Sequence, residues 1–369
     1  MPAAADLTSA DTDLIAACAA AIDVPKVAEP DSFVLHAPLE LLARAILLPQ
    51  VPEPFRPLVR RRLQWLADRY RAAGPDAPTQ VDGALAPAVH DVLVSLAAAG
   101  HGPILLALRR RVEAVPPSFG DRLVASELAR HPSWRLEWPS RRDPSGPASG
   151  DLEVRLAAPP SPGDPGSDFI YPTMHLVDAS GLAAEVLERP LRGVSVTDAR
   201  RTLLRVAARS MLQDAPAAAP YGWTHCLTMP QAVLDAVEQG ADADLAVAVA
   251  ATYVLGFRST QGRVELDPAW APAPGSAAHA VWAADDEELE RIAAALAAYG
   301  AVHPDAHVAK YTLAGLDAAA ADPDAARLFL AAVAHLHQWW RATATADDPI
   351  LEEHLALEVA DGLTTAPPS

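Results

Sequence analysis

Large rings are scarce in this chain: Phe, Trp and Tyr make up 5% of its 369 residues, although 51% are apolar. Alanine carries much of that apolar total, which favours helices and close helix–helix contact over sheets. Cysteine is almost absent. Cys18 and Cys226 stand far apart with no CxxC spacing, so neither a disulfide framework nor a zinc–thiolate site is expected. Basic residues are outnumbered, 29 Lys and Arg against 47 Asp and Glu, for a formal net charge of -18. That balance repels phosphate backbones and anionic lipid, so neither nucleic acid nor a membrane is an expected partner. The runs Arg60–Arg62 and Arg109–Arg111 read as a solvated helix face and a helix carboxyl end rather than a basic groove. No Gly-rich dinucleotide fingerprint, basic leader region or uninterrupted apolar run of membrane-spanning length is present. A cytoplasmic location is expected.

What is present is a long succession of helical patterns. Segments near 14–22, 36–73, 87–98, 103–112 and 121–131 read as helices, with a break at Pro49–Pro57. Further helices are expected over 182–187, 196–213, 231–238, 245–257, 285–299, 304–319, 323–341 and 349–359. Ser195 with Asp198 forms a capping pair, and Asp322-Pro323 offers a cap followed by a first-turn proline. Alternating strand patterns are few. The fold class is therefore all-α: a large helical domain of roughly a dozen or more helices. Residues 138–168 are dense in Pro, Gly, Ser and Asp and read as a loop or insert, with only 152–156 ordered. They separate an amino-terminal helical lobe (1–137) from a carboxyl-terminal one (169–369), the two integrated into one domain.

Five histidines stand at the front of, or inside, strongly apolar segments: His36, His101, His175, His225 and His307. Imidazoles on inward-facing surfaces can meet inside a helical fold, as a buried transition metal requires. A single buried His is more often a hydrogen-bonded core residue than a ligand, so the argument rests on the set. His36-Ala-Pro and His101-Gly-Pro share a proline two residues on, suited to the first turn of a helix. The imidazole is then expected at a helix amino end, where the dipole disfavours its protonation.

His307 and Lys310 are three apart and share a helix face. Asp305 is placed to orient an imidazole from behind, and His303 is expected as a cap residue. An amine so placed can ligate only as the neutral form or as a carbamate. Asp168, seven residues before His175, is a candidate carboxylate ligand or orienting partner. Tyr221, Trp223 and Thr224 precede His225 and suit the approach of a planar organic molecule. Tyr221, Thr224 and Asp168 are the candidate catalytic residues, and Cys226 is a small neighbour rather than a nucleophile. His131, His279 and His354 are expected at the surface. His335, His337, Trp339 and Trp340 are expected on an amphipathic helix.

The segments His36-Ala-Pro-Leu, His101-Gly-Pro-Ile, Asp168-Phe-Ile-Tyr-Pro-Thr-Met-His175, Tyr221-Gly-Trp-Thr-His225-Cys-Leu-Thr-Met-Pro and Asp305-Ala-His307-Val-Ala-Lys310 resemble, in order, those of questin oxidase-like proteins. The resemblance implies an all-α fold and oxygen-dependent attack on a small aromatic substrate of the anthraquinone or polyketide type, by hydroxylation or ring cleavage. It also implies a non-haem iron and dioxygen, with metal ligands drawn from His36, His101, His175, His225, His307 and Lys310. Lys310 would be carboxylated. Six ligands leave no position for dioxygen, so at least one belongs outside the inner sphere. NADPH serves as reductant in some members, and here it would have to bind without a Rossmann unit. The long 138–168 segment departs from the family pattern.

Two rival functions share the fold class. An HD-type metal-dependent phosphohydrolase would use His90-Asp91, with His36 as an upstream ligand. A catalytically inactive helical binding protein would keep the scaffold without the metal.

Overall fold

A computed structural model describes residues 7–27, 33–77, 88–167, 169–214, 220–343 and 348–361. Among them are eighteen α-helices, a few short 3-10 turns and no β-strand, so the fold is all-α. The first six are α1 (Ser9–Ile22), α2 (Phe33–Leu47), α3 (Arg56–Ala72), α4 (Val89–Val94), α5 (Gly102–Arg109) and α6 (Asp121–Arg130). Next come α7 (Trp138–Arg141), α8 (Leu152–Ala157), α9 (Ile170–Ala179), α10 (Leu182–Leu187), α11 (Val196–Gln213) and α12 (Tyr221–Asp235). The last six are α13 (Ala243–Gln261), α14 (Ala277–Ala283), α15 (Asp286–Val302), α16 (Ala306–Ala321), α17 (Ala326–Thr343) and α18 (Pro349–Asp361).

Side-chain caps start many of these helices, as the sequence leads one to expect. Ser195 accepts the Asp198 amide at α11, and Asp242, Asp285 and Asp305 cap α13, α15 and α16. Thr8 and Asp11 form a reciprocal capping box at α1. Each such cap is worth about 1 kcal/mol.

Two compact units divide the chain. One contains 1–79, 108–120 and 271–369, and the other 80–107 and 121–270. In the first unit, α16 packs against α2, α15 and α17. Small residues let these helices close up: a Cβ at Gly315 would collide with Val333 on α17. Two buried arginines hold the carboxyl end of α15. Arg44 of α2 donates to the carbonyls of Ala301 and His303, and Arg62 of α3 donates to that of Val302 at 2.7 Å. Cations at a helix carboxyl end satisfy its orphan carbonyls and complement its dipole. Glu40 balances Arg44, and Asp348 balances Arg62.

α2 with the turn after it, Phe33–Gln50, is long and apolar enough to cross a membrane by length and composition (mean hydropathy 1.2). It is 78% buried inside the protein, as a core helix is.

The second unit is organised on α13, whose residues 245–259 are all buried and which packs against α9, α11 and α12. Residues 138–167 belong to this unit and carry two short helices, α7 and α8. Arg258 of α13 ties α8 down, donating to the carbonyls of Leu156 and Ala157 and pairing with buried Asp214. Glu153 pairs with Arg209 of α11.

Candidate metal centre

Each unit contains one close pair of imidazoles taken from the expected set. In the first unit, His36 is the fourth residue of α2 and is 6% exposed. It does not open the helix as the His-x-Pro spacing suggests. The apolar run Phe33-Val34-Leu35 extends α2 backwards, so Pro38 lies inside the helix and deprives the Val34 carbonyl of its amide partner. His307 is the second residue of α16, and its Nε2 lies 3.1 Å from His36 Nε2.

Asp305 places His307. Its carboxylate caps α16 by accepting the His307 amide at 2.7 Å and also meets His307 Nδ1 at 2.9 Å. A carboxylate can only accept, so Nδ1 carries the proton and Nε2 presents its lone pair. Burial, reinforced by the Lys310 charge, pushes the His307 pKa well below its usual value and keeps the ring neutral. Lys310 is 3% exposed, and its Nζ has no partner among the described residues. Burial drives its pKa down to about 7 against the pull of Asp305 and Glu40. Near neutral pH much of this amine is unprotonated, the form that ligates or takes up carbon dioxide.

In the second unit, His101 stands immediately before α5. Its carbonyl accepts the Leu105 amide at 3.0 Å, and Pro103 occupies the first turn, so this His-x-Pro reading holds. The preceding Gly100 has φ +74°, and a Cβ there would collide with Met229 and crowd Tyr253. Only glycine allows this turn. His225, on the first turns of α12, is buried and carries its Nε2 3.3 Å from His101 Nε2, with the Phe257 ring beside it. His36, His101 and His225 are all buried.

His175 is exposed. It sits on the solvent side of α9, stacked on Tyr171 one turn earlier, while Thr173, Met174 and Val177 fill the core side. The apolar neighbours of His175 in sequence therefore do not bury it. Asp168 lies outside the described residues. Thr224 is buried, with its hydroxyl donating to the Tyr221 carbonyl at 2.7 Å, and Tyr221 is 40% exposed. Burial raises the Cys226 thiol to about 12, which removes it as a nucleophile. His90 and Asp91, the phosphohydrolase dyad, are both exposed on α4.

A second polar cluster went unforeseen. His303, His337 and His354 are at most 1% exposed and surround Tyr299, at ring-centroid distances of 5.3, 4.5 and 5.9 Å. His354, expected at the surface, is anchored by Glu358 four residues on, with Nε2 3.1 Å from the carboxylate. That i, i+4 pairing was the available signal.

Comparison with protein-family models, curated proteins and solved structures returns no match.

Proposed function

We propose that the protein is a non-haem iron oxygenase that oxidises a planar aromatic molecule of the quinone or polyketide type. One observation carries the metal reading: the Nε2 atoms of His36 and His307, and of His101 and His225, approach to 3.1 and 3.3 Å. Two nitrogens each about 2.1 Å from one ion, at angles between octahedral and tetrahedral, stand about 3.0–3.4 Å apart. Direct ring-to-ring hydrogen bonds would also permit these separations, and metal analysis distinguishes the two. The donor set fits an imidazole-rich centre, since His307 is neutral and aims a lone pair from Nε2 while its Nδ1–H is spent on Asp305.

In this reading the metal ligands would be drawn from His36, His101, His225 and His307, and Lys310 would add an anionic oxygen as a carbamate. The neutral amine adds to carbon dioxide, forming an N–C bond and releasing one proton. Bound ferrous iron would supply the electrons that activate dioxygen. The chain's own contribution is to orient the rings through Asp305 and to hold the pairs away from water. Tyr221, exposed at the start of α12, offers aromatic surface for a flat substrate, whereas Trp223 is buried beside Arg258. The family resemblance supplies the substrate class.

The exposed His90–Asp91 dyad argues against a phosphohydrolase. An inactive binding protein remains the competitor. Metal analysis of untagged protein, followed by oxygen uptake with anthraquinone-type compounds, tests the proposal. Stoichiometric iron with quinone-dependent uptake is expected. Protein without a stoichiometric metal favours the binding protein, and a metal without oxygen uptake favours hydrolytic chemistry.

A further inference from the structure

The cluster around Tyr299 is chemically distinct from the imidazole pairs. His303 ends α15, His337 belongs to α17 and His354 to α18. Each has one ring nitrogen with no partner among the described residues: Nε2 of His303, and Nδ1 of His337 and of His354. Leaving a buried polar atom without a partner costs about 1–3 kcal/mol, so three such atoms on rings packed around Tyr299 call for an occupant.

The partnered nitrogens define what the free ones offer. His303 Nδ1 accepts the Asp305 amide at 3.1 Å, so in the neutral ring its proton is on Nε2, which is a donor. His354 Nε2–H donates to Glu358, so in the neutral ring Nδ1 is an acceptor. His337 Nε2 meets the Thr312 hydroxyl at 2.8 Å, a group that either gives or takes a proton, so Nδ1 can serve either way. A metal ion needs lone pairs only, and an anion needs donors only. This set mixes the two. The three histidines are also not among those able to hold a metal as a group.

We propose that His303, His337 and His354 enclose an internal hydration site, in which ordered water accepts from His303 Nε2 and donates to His354 Nδ1. Water is the smallest molecule that both gives and accepts hydrogen bonds, and buried waters characteristically make two to four of them. Burial keeps His303 and His337 far below their ordinary pKa, as neutral rings that can share such a molecule. The water links His303 at the carboxyl end of α15 to His354 within α18, beside His337 of α17.

A high-resolution crystal structure of the full chain, combined with ¹⁵N NMR of its histidine side chains, tests this. The expected result is water density within hydrogen-bonding distance of His303 Nε2 and His354 Nδ1, with the His303 ring neutral and both rings protonated at Nε2. A dry chamber, direct ring-to-ring bonds, an ion in place of water, or a protonated His354 Nδ1 would overturn the proposal. The His337→Phe variant fixes the site further. It should keep the fold and lose or displace the water, whereas unchanged density at the same position would exclude His337 from the site.

Discussion

Asp305 does two things for His307: it accepts the residue's backbone amide at 2.7 Å, which starts α16, and its Nδ1–H at 2.9 Å, which fixes the ring. The two roles can be separated. Asparagine retains an oxygen for the cap but removes the charge that makes the imidazole a better ligand. Asp305→Asn should therefore leave the melting temperature nearly unchanged and weaken iron binding by about 10- to 100-fold. Equal affinity in wild type and variant, by competition with a chelator, would remove Asp305 from the account.

Lys310 is an amine whose burial lowers its pKa to about 7 against the charges of Asp305 and Glu40, the condition under which lysines become nucleophilic. In ¹³C-labelled bicarbonate the wild type should show one carbamate resonance per chain. Lys310→Arg, which keeps a charge but has no reactive amine, should lose it. Wild type without the resonance, metal-loaded, would leave the centre without its proposed anionic oxygen.

The carboxyl end of α15 depends on Arg44, whose guanidinium is fully buried and balanced by Glu40. Removing one partner of a buried pair strands the other charge. Glu40→Leu should cost about 3–5 kcal/mol in urea unfolding. A loss below about 1 kcal/mol would mean that water reaches Arg44.

Acid should weaken the fold before ordinary carboxylates titrate. His303 is held down to about 3, by burial first and then by Arg44 and Arg62 against Asp305, and His337 lies well below 6.5. The unfolded chain binds protons at these positions below about pH 6.5 and the folded chain does not, so stability is full above that pH and falls toward the folded values. Each such histidine contributes at most about 1.4 kcal/mol per pH unit. Asp11, held near 2 chiefly by its bond to Arg60, adds its own loss only below about pH 4. Urea titrations at pH 7, 6 and 5 should show a steady decline, and a flat profile would contradict neutral buried rings.

Much of the architecture was legible because helices carry local signals. Ser195 capped α11, and His101-Gly-Pro opened α5 where its proline fits. The same spacing misplaced His36, because the apolar residues before it could extend α2 and Pro38 was tolerated inside. His175 shows the limit of apolar neighbours as a guide to burial: on α9 they face the core and the histidine does not. Acidic Glu352 and Glu353 made the surroundings of His354 look solvated, while the residue that buries it, Glu358, pairs one turn later. The gathering of 1–79 with 271–369 into one unit is a long-range event with no local pattern to announce it.

The most direct test is iron per chain in untagged protein, in the wild type and in His36→Ala and His225→Ala. The account predicts about one iron in the wild type and a large loss in each variant. Wild-type protein reconstituted under anaerobic ferrous iron yet holding no stoichiometric metal, or full occupancy in both variants, would contradict it.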